Sequence, residues 1–191
     1  MIDSSLSYLC YNANEYLTKK YELSERIISL SNIVNPDGSV ALQDQNQIVM
    51  TLVNLTEESV LKNVQPMRSS GEFGVKLNPT LNLNSYVLFS AFYTGVNYHT
   101  GLKMISDIIS YYQSNRLFVK QNAPGMPANI NKLTMEFVSL SLDQMSHLWS
   151  CMGSKYMPSV LYKVGVLPFT DEEIKDIRPK ISGVDNKIKP T

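Results

Sequence analysis

The stretch Ile48 to Leu55 constrains the fold more than any other part of the chain. A strand sends alternate side chains to opposite faces. Here Val49, Val53 and Leu55 fall on one face, and Ile48, Met50 and Leu52 fall on the other. Apolar residues on both faces predict a central strand covered from each side. A chain of 191 residues is about one domain. Burying roughly 70% of its unfolded surface, a chain of this size needs no staples.

The remaining elements follow from period and punctuation. Ile2, Leu6, Leu9, Cys10, Ala13, Tyr16 and Leu17 recur at helical spacing and predict a first helix, with Asp3 or Ser4 as its cap. Arg26 to Ile33 reads as a strand, and Asn35-Pro36-Asp37-Gly38 as a turn. Leu81 to Phe92 is a third strand. Tyr98 to Tyr112 is a second helix with Leu102, Ile105, Ile108, Ile109 and Tyr112 on its core face. Arg116 to Lys120 is a short strand, and Lys132 to Leu140 alternates with Leu133, Met135 and Phe137 on one face. Ser141 and Gln144 form a capping box that opens a third helix, and Gly153 ends it. Its core stripe is Leu142, Met145, Leu148, Trp149 and Met152. Ser159 to Leu167 is the last strand, and Asp171-Glu172-Glu173 reads as the acidic first turn of a short helix. With no repeating βαβ unit, the class is α+β: a mixed, mostly antiparallel sheet with helices packed on it. One domain is expected over residues 1–180, with a flexible tail at 181–191.

Residues 56–80 break this regularity. Pro66, Ser69, Ser70, Gly71, Gly74 and Pro79 resist a regular element. Met67, Phe73, Val75 and Leu77 are nevertheless costly to leave in water. Two readings stand: an arm that lies on a neighbouring subunit, or an internal hairpin with strands near 61–67 and 73–78.

Little in the chain points to chemistry. Its 17 basic and 17 acidic residues cancel, so the basic excess of a nucleic-acid binder is missing. His99 and His147 are the only histidines, and zinc-site spacings do not occur. Cys151 follows His147 by one helical turn, which permits a Cys–His nucleophile pair, but the surrounding apolar stripe and the lack of an obvious third group favour packing or a solvated His. Both Cys10 and Cys151 read as buried thiols. Adjacent residues point to opposite sides, so Glu57-Glu58 reads as a solvated turn or a subunit salt bridge. No secretory signal or membrane-length apolar run is visible, and synthesis and assembly in the cytoplasm are expected. The 9 Met and 11 Tyr suit adaptable, half-wet subunit contacts as well as a core.

The order of segments says more. Asn14-Glu15-Tyr16-Leu17 closes the first helix, and Ile28-Ser29-Leu30-Ser31-Asn32-Ile33 is the first strand. Ile48 to Leu55 is followed by Glu57-Glu58, and Asn78-Pro79 and Leu81-Asn82-Leu83 lead into Tyr86-Val87-Leu88-Phe89-Ser90-Ala91. Leu102-Lys103-Met104-Ile105-Ser106 and Tyr111-Tyr112-Gln113 lie in the second helix. Then Leu148-Trp149-Ser150 leads to Gly153-Ser154-Lys155-Tyr156-Met157-Pro158-Ser159 and on to Val164. In this order the chain resembles the tail-terminator, or cap, family of extracellular contractile injection systems, the antifeeding-prophage and virulence-cassette type particles. The resemblance runs from about residue 1 to residue 169. Three positions depart from it: Thr56, where the acidic run would begin; Asn84-Ser85, which lengthens the approach to the third strand; and Gly165, where a basic residue is common.

The resemblance implies a structural protein rather than an enzyme, with no cofactor and no metal. It implies a homo-hexameric ring that ends the inner tube and anchors the last sheath ring. The expected partners are other copies of itself, the inner tube protein and the sheath protein, with no nucleic acid and no membrane. Met67, Arg68, Phe73, Val75, Lys76 and Leu77 are the expected interface residues, and Trp149 and Tyr156 the expected structural core. The rival reading is an effector-loading adaptor or an enzyme carried by the same particle.

Overall fold

Ile48, Val49 and Met50 have no solvent-exposed surface, which requires cover on both faces of the strand that carries them. In the computed structural model, which describes residues 1–42, 46–58, 67–70, 73–77, 81–169 and 174–179, three helices and a sheet supply that cover. The elements run in the order α1 (Ile2–Tyr21), β1 (Ile28–Leu30), β2 (Gln47–Glu57), β3 (Met67–Ser70), β4 (Phe73–Leu77) and β5 (Leu81–Phe92). They continue with α2 (Tyr98–Ser114), β6 (Leu117–Val119), β7 (Lys132–Val138), α3 (Leu142–Cys151), β8 (Ser159–Phe169) and β9 (Ile174–Pro179).

The chain divides into two compact units. The first, residues 1–57 and 83–167, holds a six-stranded sheet in the order β1-β2-β5-β8-β7-β6. β1 is parallel to β2, whereas β2 pairs antiparallel with β5, and β7 antiparallel with β6 and β8. The fold is therefore α+β with a mixed, mostly antiparallel sheet, as the sequence predicts.

Register explains how each face is covered. Met50 lies opposite Phe89, so the two share a face. On that face the Phe89 ring meets Tyr112 of α2 at 5.5 Å and Tyr162 of β8 at 6.0 Å. The Tyr112 hydroxyl donates to the Leu9 carbonyl of α1 at 3.1 Å, which brings α1 and α2 into one layer. The opposite face carries Val49, Leu88 and Leu161, which cluster with Ile33 and with Trp149 of α3.

The α3 capping box forms as predicted: the Gln144 amide donates to Ser141 Oγ, and the Ser141 amide donates back to Gln144 Oε1. Gly153 then takes φ +65°, a conformation that glycine adopts without strain. The Asn35–Gly38 turn also forms, with the Gly38 amide donating to the Asn35 carbonyl at 2.9 Å and Gly38 at φ +83°.

Several expectations need correction. The α1 N-cap is Met1, with no side-chain cap, and Asp3 and Ser4 lie inside the helix. β2 continues through Thr56 to Glu57, and after an irregularity between Leu52 and Asn54 its cover thins, leaving Leu52 and Leu55 exposed. Leu102 is exposed because the buried face of α2 turns through Gly101, Met104, Ile105 and Ile108. Leu142 is 89% exposed, because it opens α3 one turn before the residues that reach the sheet. Phe137 is exposed and touches Tyr162 only edge-on.

The second unit, residues 58–82 and 168–191, holds a three-stranded sheet in the order β3-β4-β9. β3 pairs antiparallel with β4 from Met67↔Lys76 to Ser70↔Phe73. β4 pairs antiparallel with β9 from Phe73↔Pro179 to Leu77↔Ile174. β9 is a strand that the sequence did not predict. The acidic turn expected at 171–173 lies outside the described residues, and the chain that follows it is extended rather than helical. The tail expected at 181–191 also lies outside them.

A polar latch joins the two helices of one layer. Asp107 of α2 is buried and accepts hydrogen bonds from Lys20 Nζ at 2.7 Å and from the Tyr21 hydroxyl. Lys103 sits over the Tyr21 ring at 4.9 Å. Burial pushes the Asp107 carboxyl up, but the hydrogen bonds from Lys20 and Tyr21 and the nearby Lys charges outweigh it and hold it below its ordinary value. A carboxyl depressed in the folded state adds stability that is complete above its unfolded pKa of about 3.9 and is lost as pH falls through the folded value. Asp107→Asn should therefore lower stability by about 1–3 kcal/mol at pH 7. In urea unfolding the gap between wild type and variant should close below about pH 4.

Gly165 of β8 lies opposite Thr134, whose Oγ1 donates to the Gly165 carbonyl at 3.2 Å. A Cβ at Gly165 would come within 2.9 Å of Thr134 Oγ1 and 3.2 Å of Asn84 Oδ1. Asn84 and Gly165, far apart in sequence, thus meet in space. Gly165→Ala should cost about 1–3 kcal/mol in the same unfolding assay, because a neighbour on either side must move.

Candidate assembly interface

Among the described residues, no group of three or more His, Cys, Asp or Glu is placed to hold a metal ion. His99 is exposed on the first turn of α2, edge-on to Tyr98, and His147 lies on α3. Among the described residues, no helix is long and apolar enough to cross a membrane.

The most distinctive surface is built on α3. The capping box fixes where this helix begins, and its ten residues bury only Trp149. A groove of about 470 Å³ runs along one flank, between α3 and the ends of β2, β5 and β8. Val53, Tyr86, Leu140, Leu148 and Leu161 form its apolar floor, while Asn54, Gln144, His147 and Cys151 supply polar groups. A second hollow of about 510 Å³ lies between Leu142, Met145 and Trp149 of α3 and Tyr156 beyond it. The sequence stripe of α3 is thus apolar enough for a core helix, yet much of it stays accessible.

The predicted site residues separate into two places. Trp149 is buried at 3% exposure, on the core cluster, as a structural residue should be. Tyr156 is 65% exposed and meets the Trp149 ring edge at 6.0 Å, so it forms the wall of the second hollow. Met67 and Arg68 lie on β3, and Phe73, Val75, Lys76 and Leu77 on β4, in the second unit. The side chains of these six lie outside the described residues. Their backbone forms an intramolecular hairpin, close to the second of the two readings of this segment, and β9 adds a third strand to it.

Sequence reasoning missed the Lys20–Tyr21–Asp107 latch and the groove beside α3. No spacing rule pairs α1 with a carboxylate in α2, and a groove floor drawn from β2, β5, β8 and α3 has no local signature. A faint signal existed in Asp107, a charge on the buried face of an otherwise apolar helix.

The two cysteines differ in environment, against the expectation that both are buried. Cys10 lies under β1, where its thiol donates to the Ile28 carbonyl at 3.6 Å, and burial pushes its pKa up to about 11 despite the Arg26 charge and the Asn14 hydrogen bond. Cys151 is exposed, because it stands at the open end of α3 on the groove wall. Since the thiolate is the reactive form, alkylation of the native protein should label Cys151 within minutes and Cys10 only on unfolding. Mass spectrometry of labelled peptides checks this, and fast native labelling of Cys10 would show that α1 lifts off β1.

The same architecture occurs in known proteins. The sequence matches the family described as the Pvc16 N-terminal domain over residues 14–182. No curated protein matches the chain. Among solved structures, the chain is similar to the sheath/tube terminator of an extracellular contractile injection system, PVC, in its extended state. There the TM-score is 0.62 at 14% identity, with 96% of this chain and 63% of that chain covered. It is also similar to the anti-feeding prophage cap, a tube-terminating cap, with a TM-score of 0.56 at 12% identity and coverage of 95% and 59%. The chain therefore spans less than two thirds of the length of either structure, and at these identities the likeness is one of fold. With the family pattern covering nearly the whole sequence, this chain belongs to the Pvc16 N-terminal domain family.

Proposed function

We propose that this protein is the structural cap, or tail terminator, of a contractile phage-tail-like injection system, and that it works without catalysis. The observation that carries this reading is the family match over residues 14–182, together with a fold shared with two terminators over at least 95% of the chain. In this reading the subunit forms a homo-hexameric ring that ends the inner tube and anchors the last sheath ring. Its partners are its own copies, the tube protein and the sheath protein. It binds neither nucleic acid nor membrane, in keeping with its zero net charge, and it is made and assembled in the cytoplasm. Residues 1–180 act as one module.

A closed ring needs a heterologous interface that repeats at each rotation. Such interfaces centre on aromatic, Met and aliphatic side chains within a polar rim. The surface of α3, with Leu142, Met145 and Tyr156, has that character. The hairpin carrying Met67, Arg68, Phe73, Val75, Lys76 and Leu77 is the second contact, reaching the next subunit or the last tube ring. Termination then requires one face that fits a tube subunit and an opposite face that does not.

Mass photometry of the purified protein, alone and with tube protein, should show a hexamer in at least one sample. Only monomers or dimers in both would remove the ring and favour a carried adaptor or enzyme. Deleting residues Ser69 to Gly74 should leave the main unit folded by circular dichroism yet give uncapped or overlong tubes by negative-stain microscopy. Tubes of normal length would reject the hairpin as a contact.

A further inference from the structure

We infer that Asn14 and Asn122 close the two outer edges of the six-stranded sheet, so that a second copy of this chain cannot add a strand there. The inference rests on side-chain-to-backbone hydrogen bonds and stands whether or not the chain forms a ring. β1 and β6 are the edge strands. An edge strand points alternate N–H and C=O groups away from its sheet, where another strand can take them.

On β1 the outward residue is identified by its neighbours. The Ile27 carbonyl accepts from the Ile48 amide, and the Ser31 amide donates to the Met50 carbonyl, so that carbonyl and that amide face β2. By alternation Ile28 faces outward. The Asn14 amide pairs with it as a neighbouring strand would: the Ile28 N–H donates to Asn14 Oδ1 at 2.8 Å, and Asn14 Nδ2 donates to the Ile28 carbonyl at 2.7 Å. The Ile27 N–H donates to the same Oδ1 at 3.0 Å.

At the far edge the arrangement recurs. Arg116 accepts from the Met135 amide, so Arg116 and Phe118 face β7, while Leu117 and Val119 face outward. Asn122 folds back along that side. Its Oδ1 accepts from the Val119 N–H at 2.9 Å, its Nδ2 donates to the Leu117 carbonyl at 3.4 Å, and its backbone N–H donates to the Val119 carbonyl at 2.9 Å. The need is plain on this edge, because Leu117 is 47% exposed. An exposed apolar edge strand is a template for pairing with another chain. An asparagine amide sets an acceptor oxygen beside an NH2 donor, much as a peptide edge does, so it satisfies the strand without extending the sheet.

The test uses the full chain. Asn122→Ala should self-associate about tenfold more tightly than wild type in sedimentation velocity. Raising its concentration should protect the outward amides of Leu117 and Val119 from hydrogen exchange. Adding Leu117→Lys to that variant should return association to the wild-type level, and Asn122→Asp, which keeps the acceptor for Val119, should stay near it. Association no stronger than wild type, or stronger association without protection at Leu117 and Val119, overturns the inference. Exchange of the dilute wild-type chain tests it independently of any variant: the Ile28 and Val119 amides should be protected there, and free exchange at either would overturn it. Because every arm is read against the wild-type state, a missing ring would not be mistaken for an open edge.

Discussion

Tyr112 sits where α1, α2 and the sheet meet. It is almost fully buried, and its ring packs on Phe89 of β5 and, at 5.3 Å, on Tyr162 of β8. Its hydroxyl would be costly to bury alone, and the carbonyl of Leu9 accepts it. One side chain thereby fixes the depth of α2 on the sheet and the position of α1 against α2. Burial raises its pKa well above the ordinary tyrosine value. The Asp107 latch and the stacked rings of Tyr16 and Tyr111, 5.0 Å apart, extend the same α1–α2 contact toward solvent.

With one face held in this way, the other is free to specialise. α3 covers it through Trp149, and the rest of the helix stands along the rim of two hollows. The α1–α2 face is the more fully buried, and the α3 face keeps accessible apolar surface. Closing the sheet edges with Asn14 and Asn122 complements this division, since contacts then form through chosen side-chain surfaces rather than by indiscriminate strand pairing.

The elements that could be read from the sequence are those whose signals are local. The Ser141–Gln144 box, the Asn35–Gly38 turn and Leu81 to Phe92 all appear where they were predicted, because a cap, a turn and a strand pattern are each written within a few residues. Burial was read less well. Leu142, Phe137 and Leu102 have the right period for a core, but period shows only that residues share a face, not whether anything lies opposite. β9 escaped notice because its strand character depends on β4, a partner that lies far back in the chain. The candidate interface was legible only as a segment of mixed loop and apolar composition, and its folding into a hairpin was one of two readings.

The sequence by itself determined the α+β class, the doubly covered start of β2, the position of α3 and, through the order of its segments, the family. These depend on periodicity, capping and turn chemistry, which act over one or two turns of chain. Only the tertiary structure decided that Asp107 is held by Lys20 and Tyr21, that Asn84 and Gly165 adjoin, and that Asn14 completes the edge of β1. Each of these joins groups distant in sequence. Which distant partner satisfies such a group is set by how the layers pack, and the local pattern of residues carries no record of that.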